Sequence, residues 1–112
     1  MTIQEHPQDT YITLVPHGEL DANSSVHLDE RIQALIEQGQ VNIHIDGADI
    51  QYISSAGLGV FVSYLDEVAE QGGKFVLSSL RESVRDVFVI LGLDQLDNLI
   101  IVERTEDVPA HF

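Results

Sequence analysis

Cysteine is absent from this chain of 112 residues, and tryptophan with it. Without thiols there is no disulfide, no thiolate zinc site and no cysteine nucleophile. Cations are nearly as scarce: five Lys and Arg stand against 19 Asp and Glu, a formal net charge of −14. The first cation along the chain is Arg31. Such a chain repels phosphate backbones, which excludes DNA or RNA binding through cationic footprints, and it is poorly suited to an anionic membrane surface. No apolar run approaches the roughly 18–20 residues that cross a bilayer, so direct membrane insertion is not expected. The start, Met1-Thr2-Ile3-Gln4-Glu5, has neither a basic nor an apolar region of the kind a secretory signal needs. The expected location is cytoplasmic.

What is present is enough apolar content, 44%, for one packed core. A single domain over residues 1–112 is expected. Thr2-Ile3-Gln4 and the β-branched, aromatic run Tyr11-Ile12-Thr13-Leu14-Val15 read as a hairpin about Pro7-Gln8-Asp9, ended or pushed to an edge by Pro16. Gly18-Glu19-Leu20-Asp21 turns into a helix capped at Asp21 or Asn23, with Leu28, Ile32, Leu35 and Ile36 at helical spacing and Gly39 as its stop. Val41 to Asp46 alternates apolar and polar, a strand with Val41, Ile43 and Ile45 toward the core. A second helix opens near Ser55 and closes at Gly72-Gly73, its stripe formed by Leu58, Phe61, Val62, Leu65, Val68 and Ala69. Lys74 to Leu77 is a further strand. Ser79-Leu80-Arg81-Glu82 has capping-box spacing ahead of Val84, Val87, Phe88 and Leu91. Leu99 to Val102 is the last strand, and 103–112 an acidic tail, weakly patterned and frayed. The fold class is α/β: an N-terminal hairpin, then alternating α and β, in a mixed sheet of about five strands. The polar alternation of Asn42, His44 and Asp46 implies that helices cover mainly one face and leave the other lightly covered.

The segment Tyr52-Ile53-Ser54-Ser55-Ala56-Gly57-Leu58-Gly59 puts two hydroxyls at a helix N-terminus, where free N–H groups and the dipole favour negative charge. A serine there can cap the helix, attack a substrate or carry a phosphate. A nucleophile elbow needs glycine two residues ahead, whereas Ile53 precedes Ser55 and Tyr52 precedes Ser54. His6, His17, His27, His44 and His111 are scattered and form no triad pattern. They form no metal-ligand motif either; Asp46 and Asp49 near a strand end suit solvated acids better than Mg²⁺. Gly57-Leu58-Gly59 lacks the third glycine and the lysine of nucleotide loops. No metal and no cofactor are expected. From the residues alone, cap and modification site both stand.

The wider pattern resembles the STAS-domain family, specifically the bacterial anti-sigma factor antagonists. Gly18-Glu19-Leu20-Asp21 is similar to that family's turn. Asp46 followed by Tyr52 to Gly59 is similar to its central strand and phosphorylation loop, and Gly72-Gly73-Lys74 with Val84 to Leu93 to its downstream helix. The likeness covers about residues 2–102. It implies a regulatory phosphoprotein, not an enzyme: unphosphorylated, such a domain binds an anti-sigma factor that is also a serine kinase. Phosphorylation abolishes binding, and a PP2C-type phosphatase restores it. Alignment on Gly57 places the phosphoacceptor on Ser55, with Ser54 as the alternative because many members carry Asp there. Asp21 matches an acidic residue near that serine. The implied partner surface comprises Asp21, Ser54, Ser55, Ala56, Gly57, Leu58, Ser63, Asp66 and Glu67, with Leu58 equally suited to core. Two other readings follow: a constitutive STAS interaction module in a sensor or transport complex, both serines being caps, and a small hydrolase using Ser55.

The surplus of acid has two explanations, a basic protein partner or a saline cytoplasm that screens self-repulsion. Under the second, the melting temperature rises as NaCl is added; a melting temperature indifferent to salt would remove it.

Overall fold

A strand of nine residues crosses Pro16, where the sequence suggests an end. The computed structural model describes residues 1–112. Strand β1 (Thr2–Pro7) pairs antiparallel with β2 (Ile12–Leu20) along its whole length, from Thr2 opposite His17 to Pro7 opposite Ile12. The other flank of β2 serves two neighbours in parallel. Ile12, Thr13 and Leu14 pair with β3 (Asn42–Asp46), and Gly18, Glu19 and Leu20 pair with β4 (Ile50–Ile53). Pro16 lies in the gap between them, so its missing N–H is not needed there. The register shifts between Gly18 and Glu19, and Gly18 adopts φ +117°, a conformation that glycine supplies without strain.

The remaining elements are α1 (Ser25–Glu37), α2 (Ser55–Glu70), β5 (Lys74–Ser78), α3 (Glu82–Ile90) and β6 (Leu99–Val102). The sheet runs β1-β2-β3-β5-β6, with β4 beside the far half of β2. It has six strands, mixed as expected, one more than the pattern suggests. The addition, β4, is four residues buried only at Ile50 and Ile53, too short to show an alternation. α1 begins at Ser25, later than a cap at Asp21 or Asn23 would place it. α3 begins at Glu82 without a side-chain cap: Ser79 sits at φ +59° and its hydroxyl meets Thr105 instead, so the capping box does not form.

All three helices contribute to one core with the sheet. Leu28, Ile32, Leu35 and Ile36 of α1, Leu58, Phe61, Leu65 and Val68 of α2, and Val84 and Phe88 of α3 are buried with Ile43, Ile45, Phe75, Leu77 and Leu99. Each such side chain contributes about 1.5–3 kcal/mol when fully buried. Phe61 is the hinge of this packing, its ring centroid 5.8 Å from Phe75 and 5.9 Å from Phe88. On α2, Val62 and Ala69 are exposed and Val60 takes a place inside, a rotation of the expected stripe.

The opposite sheet face is covered by the segment expected to fray. Residues Thr105–Asp107 and Pro109–His111 form two 3₁₀ turns, Val108 between them is fully buried, and Phe112 stacks on Tyr11 at 4.6 Å. Under this tail lies a polar relay. His44, 1% exposed, has Nδ1 at 2.9 Å from the Thr13 hydroxyl and Nε2 at 2.7 Å from that of Ser78. Ser78 and Ser79 each lie 3.2 Å from the Thr105 hydroxyl. Burial holds the His44 imidazole below its ordinary pKa, against a smaller upward pull from Asp46. If Val108 anchors this second layer, Val108→Ala costs about 2 kcal/mol in urea denaturation; an unchanged midpoint would mean that the tail adds nothing to the fold.

Candidate functional site

Two strands deliver the site to one end of the sheet. Leu20 and Ile53 are parallel partners in register, so Asp21 and Ser54, the residues that follow them, emerge side by side. The Leu20 carbonyl accepts the Ser54 N–H at 2.9 Å and the Ser54 hydroxyl at 3.3 Å. The same hydroxyl accepts the Gly57 N–H at 3.2 Å and so caps α2. Gly57 is required by proximity: a Cβ there would stand 2.7 Å from the Leu20 carbonyl oxygen.

The two serines are thereby separated in role. Ser54 is half-buried and its hydroxyl is spent on the cap and on Leu20. Ser55 is the first helical residue and is exposed, as is Ala56. Ser63, Asp66 and Glu67 lie on the exposed side of α2. Gly57 and Leu58, expected among the partner contacts, are instead buried, Leu58 at 3% exposure within the core. Their side of the helix faces the sheet, so any contact they make with a partner needs the backbone. Tyr52, just before Ile53-Ser54, is 53% exposed, and Val62, expected in the buried stripe of α2, is 47% exposed about two turns after Ser55. For Val62 the signal was available: the buried set Leu58, Phe61, Leu65 and Val68 centres the helix on Phe61 and turns Val62 outward.

Asp21 organises its own turn. Its carboxylate accepts the N–H groups of Asn23 and Ser24, both at 3.0 Å, while the Ser24 hydroxyl donates to the Glu19 carbonyl. The bonds from Ser24 hold the Asp21 carboxyl below the usual carboxylate range, so it remains charged. The adjoining depression is lined by Met1, Glu19, Asp21, His27 and Gln51 among others, with no Lys or Arg side chain. Asp49 pairs with His17 at 2.8 Å across the neighbouring loop. The turn that emerges beside the head of α2 is therefore acidic.

Neither Ser54 nor Ser55 bonds a histidine. The one serine that does, Ser78, is wholly buried and out of reach of a substrate. No group of three His, Asp or Glu side chains comes close enough to hold a metal ion. No helix is long and apolar enough to cross a membrane.

Known proteins resemble this chain in sequence and in fold. The STAS domain family profile matches residues 1–107. The anti-sigma-B factor antagonist of Bacillus subtilis (strain 168) is 34% identical over 94 residues, 84% of either chain. An anti-sigma factor antagonist from Mycobacterium paratuberculosis has a similar fold, with a TM-score of 0.86 at 18% identity over 98% of this chain and 92% of that one. The Bacillus cell fate determinant SpoIIAA in its phosphorylated form follows at 0.75 and 19% identity, over 99% and 100% of the two chains. The two solved structures speak for the fold alone; the profile and the Bacillus subtilis relative reach further, and this chain belongs to the STAS domain family.

Proposed function

We propose that this chain is a cytoplasmic anti-sigma factor antagonist controlled by phosphorylation of Ser55. Unphosphorylated, it binds an anti-sigma factor and so releases a sigma factor. A serine kinase, the anti-sigma factor itself, transfers the γ-phosphoryl group of ATP to the Ser55 oxygen, which loses its proton. A PP2C-type phosphatase hydrolyses the ester. The protein's role is regulatory, not catalytic.

The observation that carries the reading is the division of labour at the head of α2: Ser54 is committed to the cap, which leaves Ser55 exposed. SpoIIAA, whose fold is similar, exists in a phosphorylated form. A phosphate adds roughly −1.5 to −2 charge at neutral pH. Beside ionised Asp21, and with no Lys or Arg lining the depression, it meets repulsion more than pairing. The expected consequence is a partner blocked by charge and bulk while the domain keeps its fold. The partner surface is then the exposed side of α2, Ser63, Asp66 and Glu67, together with Asp21, Ser54, Ser55, Ala56 and the backbone at Gly57.

Incubation with ATP and the cognate kinase should add one phosphate by intact mass. Ser55→Ala abolishes the addition with little change in stability, whereas Ser54→Ala retains it and loses about 1 kcal/mol of stability with the cap. Addition that survives Ser55→Ala but not Ser54→Ala would reverse the assignment. No addition to either would favour a constitutive module in a sensor or transport complex. Ser55→Glu should weaken binding to the anti-sigma partner tenfold or more, about 1.4 kcal/mol, and equal binding would remove the switch. Alanine at Ser63, Asp66 or Glu67 should weaken binding without lowering the melting temperature.

A further inference from the structure

We propose that the C-terminal segment from Thr105 to Phe112 is a strap that acid releases, with buried His44 as its sensor. This rests on the second sheet face and is independent of the switch at Ser55. The strap is held at three points: the Thr105 hydroxyl on Ser78 and Ser79, the fully buried Val108, and the stacking of Phe112 on Tyr11. The first of these is shared with the sensor, because Ser78 also bonds His44 Nε2.

Counting hydrogens shows why the neutral imidazole suits the closed strap. Thr13, His44, Ser78, Thr105 and Ser79 form a chain of four hydrogen bonds. Four hydroxyl hydrogens and one imidazole N–H are available for these four bonds; with Thr13 donating to Nδ1 and Nε2–H donating to Ser78, the one to spare falls on Thr105, which is exposed to water. A second proton on the ring turns both nitrogens into donors, so Thr13 must accept and its own hydrogen is left without a place in the relay. It also puts a full charge in a site 1% exposed.

Other groups on this face act on the same equilibrium. Asp46 on β3 favours the charged ring, and Tyr11 meets the imidazole edge-on at 6.2 Å. Lys74 on β5 shares a face with Ser78, and His6 on β1 stands opposite Thr13. The strap contributes Glu106, Asp107 and His111, with Arg104 at its base paired to both acids. β6 contributes no titratable group. Burial outweighs the attraction of Asp46, so the closed form binds a proton less readily than a hydrated imidazole does. The stabilisation of the closed strap is therefore fully present above the ordinary histidine pKa of about 6.5 and declines as pH falls below it. Opening lets water reach His44 and uncovers Thr13, Val76 and Ser78.

Hydrogen exchange of the full chain tests this, since the backbone N–H groups of Val108, His111 and Phe112 are bonded within the strap and that of Asp107 to Arg104 at its base. After correction for intrinsic rates, protection across Thr105–Phe112 should fall between pH 7.5 and pH 5.5 by up to about tenfold. The loss should disappear in His44→Gln and persist in His111→Gln. Strap protection independent of pH, or a loss that survives His44→Gln or vanishes in His111→Gln, overturns the proposal. Should His44→Gln fail to fold, an NMR titration of the His44 ring decides. Phe112→Ala, which loosens the strap, should move its midpoint up toward the ordinary value, and an unmoved midpoint overturns the proposal equally.

Discussion

The Leu20 carbonyl ties the site end of the molecule together. It closes β2, receives both the N–H and the hydroxyl of Ser54, and lies against the bare Cα of Gly57. One acceptor thus joins two parallel strands and the first turn of α2. The direction of the helix, the outward position of Ser55 and the adjacency of Asp21 all follow from that contact. Because it is made by backbone on one side and a capping side chain on the other, it tolerates variation around it but not a side chain at residue 57.

A second layer completes the sheet in a different way. The helical face is closed by apolar side chains meeting across Phe61, whereas the other face is closed by a buried histidine, four hydroxyls and a short strap. Polar groups are admitted there because each finds a partner, and the strap completes the set. The strongly acidic surface is thus wrapped around two unlike interiors, one set by volume and one by hydrogen-bond count.

Much of this was legible from residue spacing. Leu28, Ile32, Leu35 and Ile36 announced α1, and the alternation from Val41 to Asp46 announced β3 with its buried face correctly assigned. Where reading failed, tertiary context had overridden a local signal. Pro16 signals a strand end, but the flank it leaves empty is the gap between two neighbours. His44 reads as a polar residue facing outward because nothing local reveals that Thr105 returns to Ser78 and Phe112 to Tyr11, its two neighbours. Ser79 has the spacing of a cap, yet a residue 26 positions away takes its hydroxyl. At the site, local physics allowed either serine to cap the helix; the hydrogen bonds of Ser54 distinguish them, and only family likeness pointed to phosphate.

The divided flank of β2 bears on how faithfully the chain folds. A strand with one neighbour can slip by two residues and keep its apolar side inward. Here a slip would have to satisfy β3 and β4 together, across a glycine whose left-handed backbone fits one position only. A slip by one residue would drive Thr13 into the oily interior and turn Leu14 toward the histidine. The same strand that carries the acidic turn to the serine therefore acts as a proofreading rail: mispaired chains lose both neighbours at once, and few near-native alternatives remain to trap them.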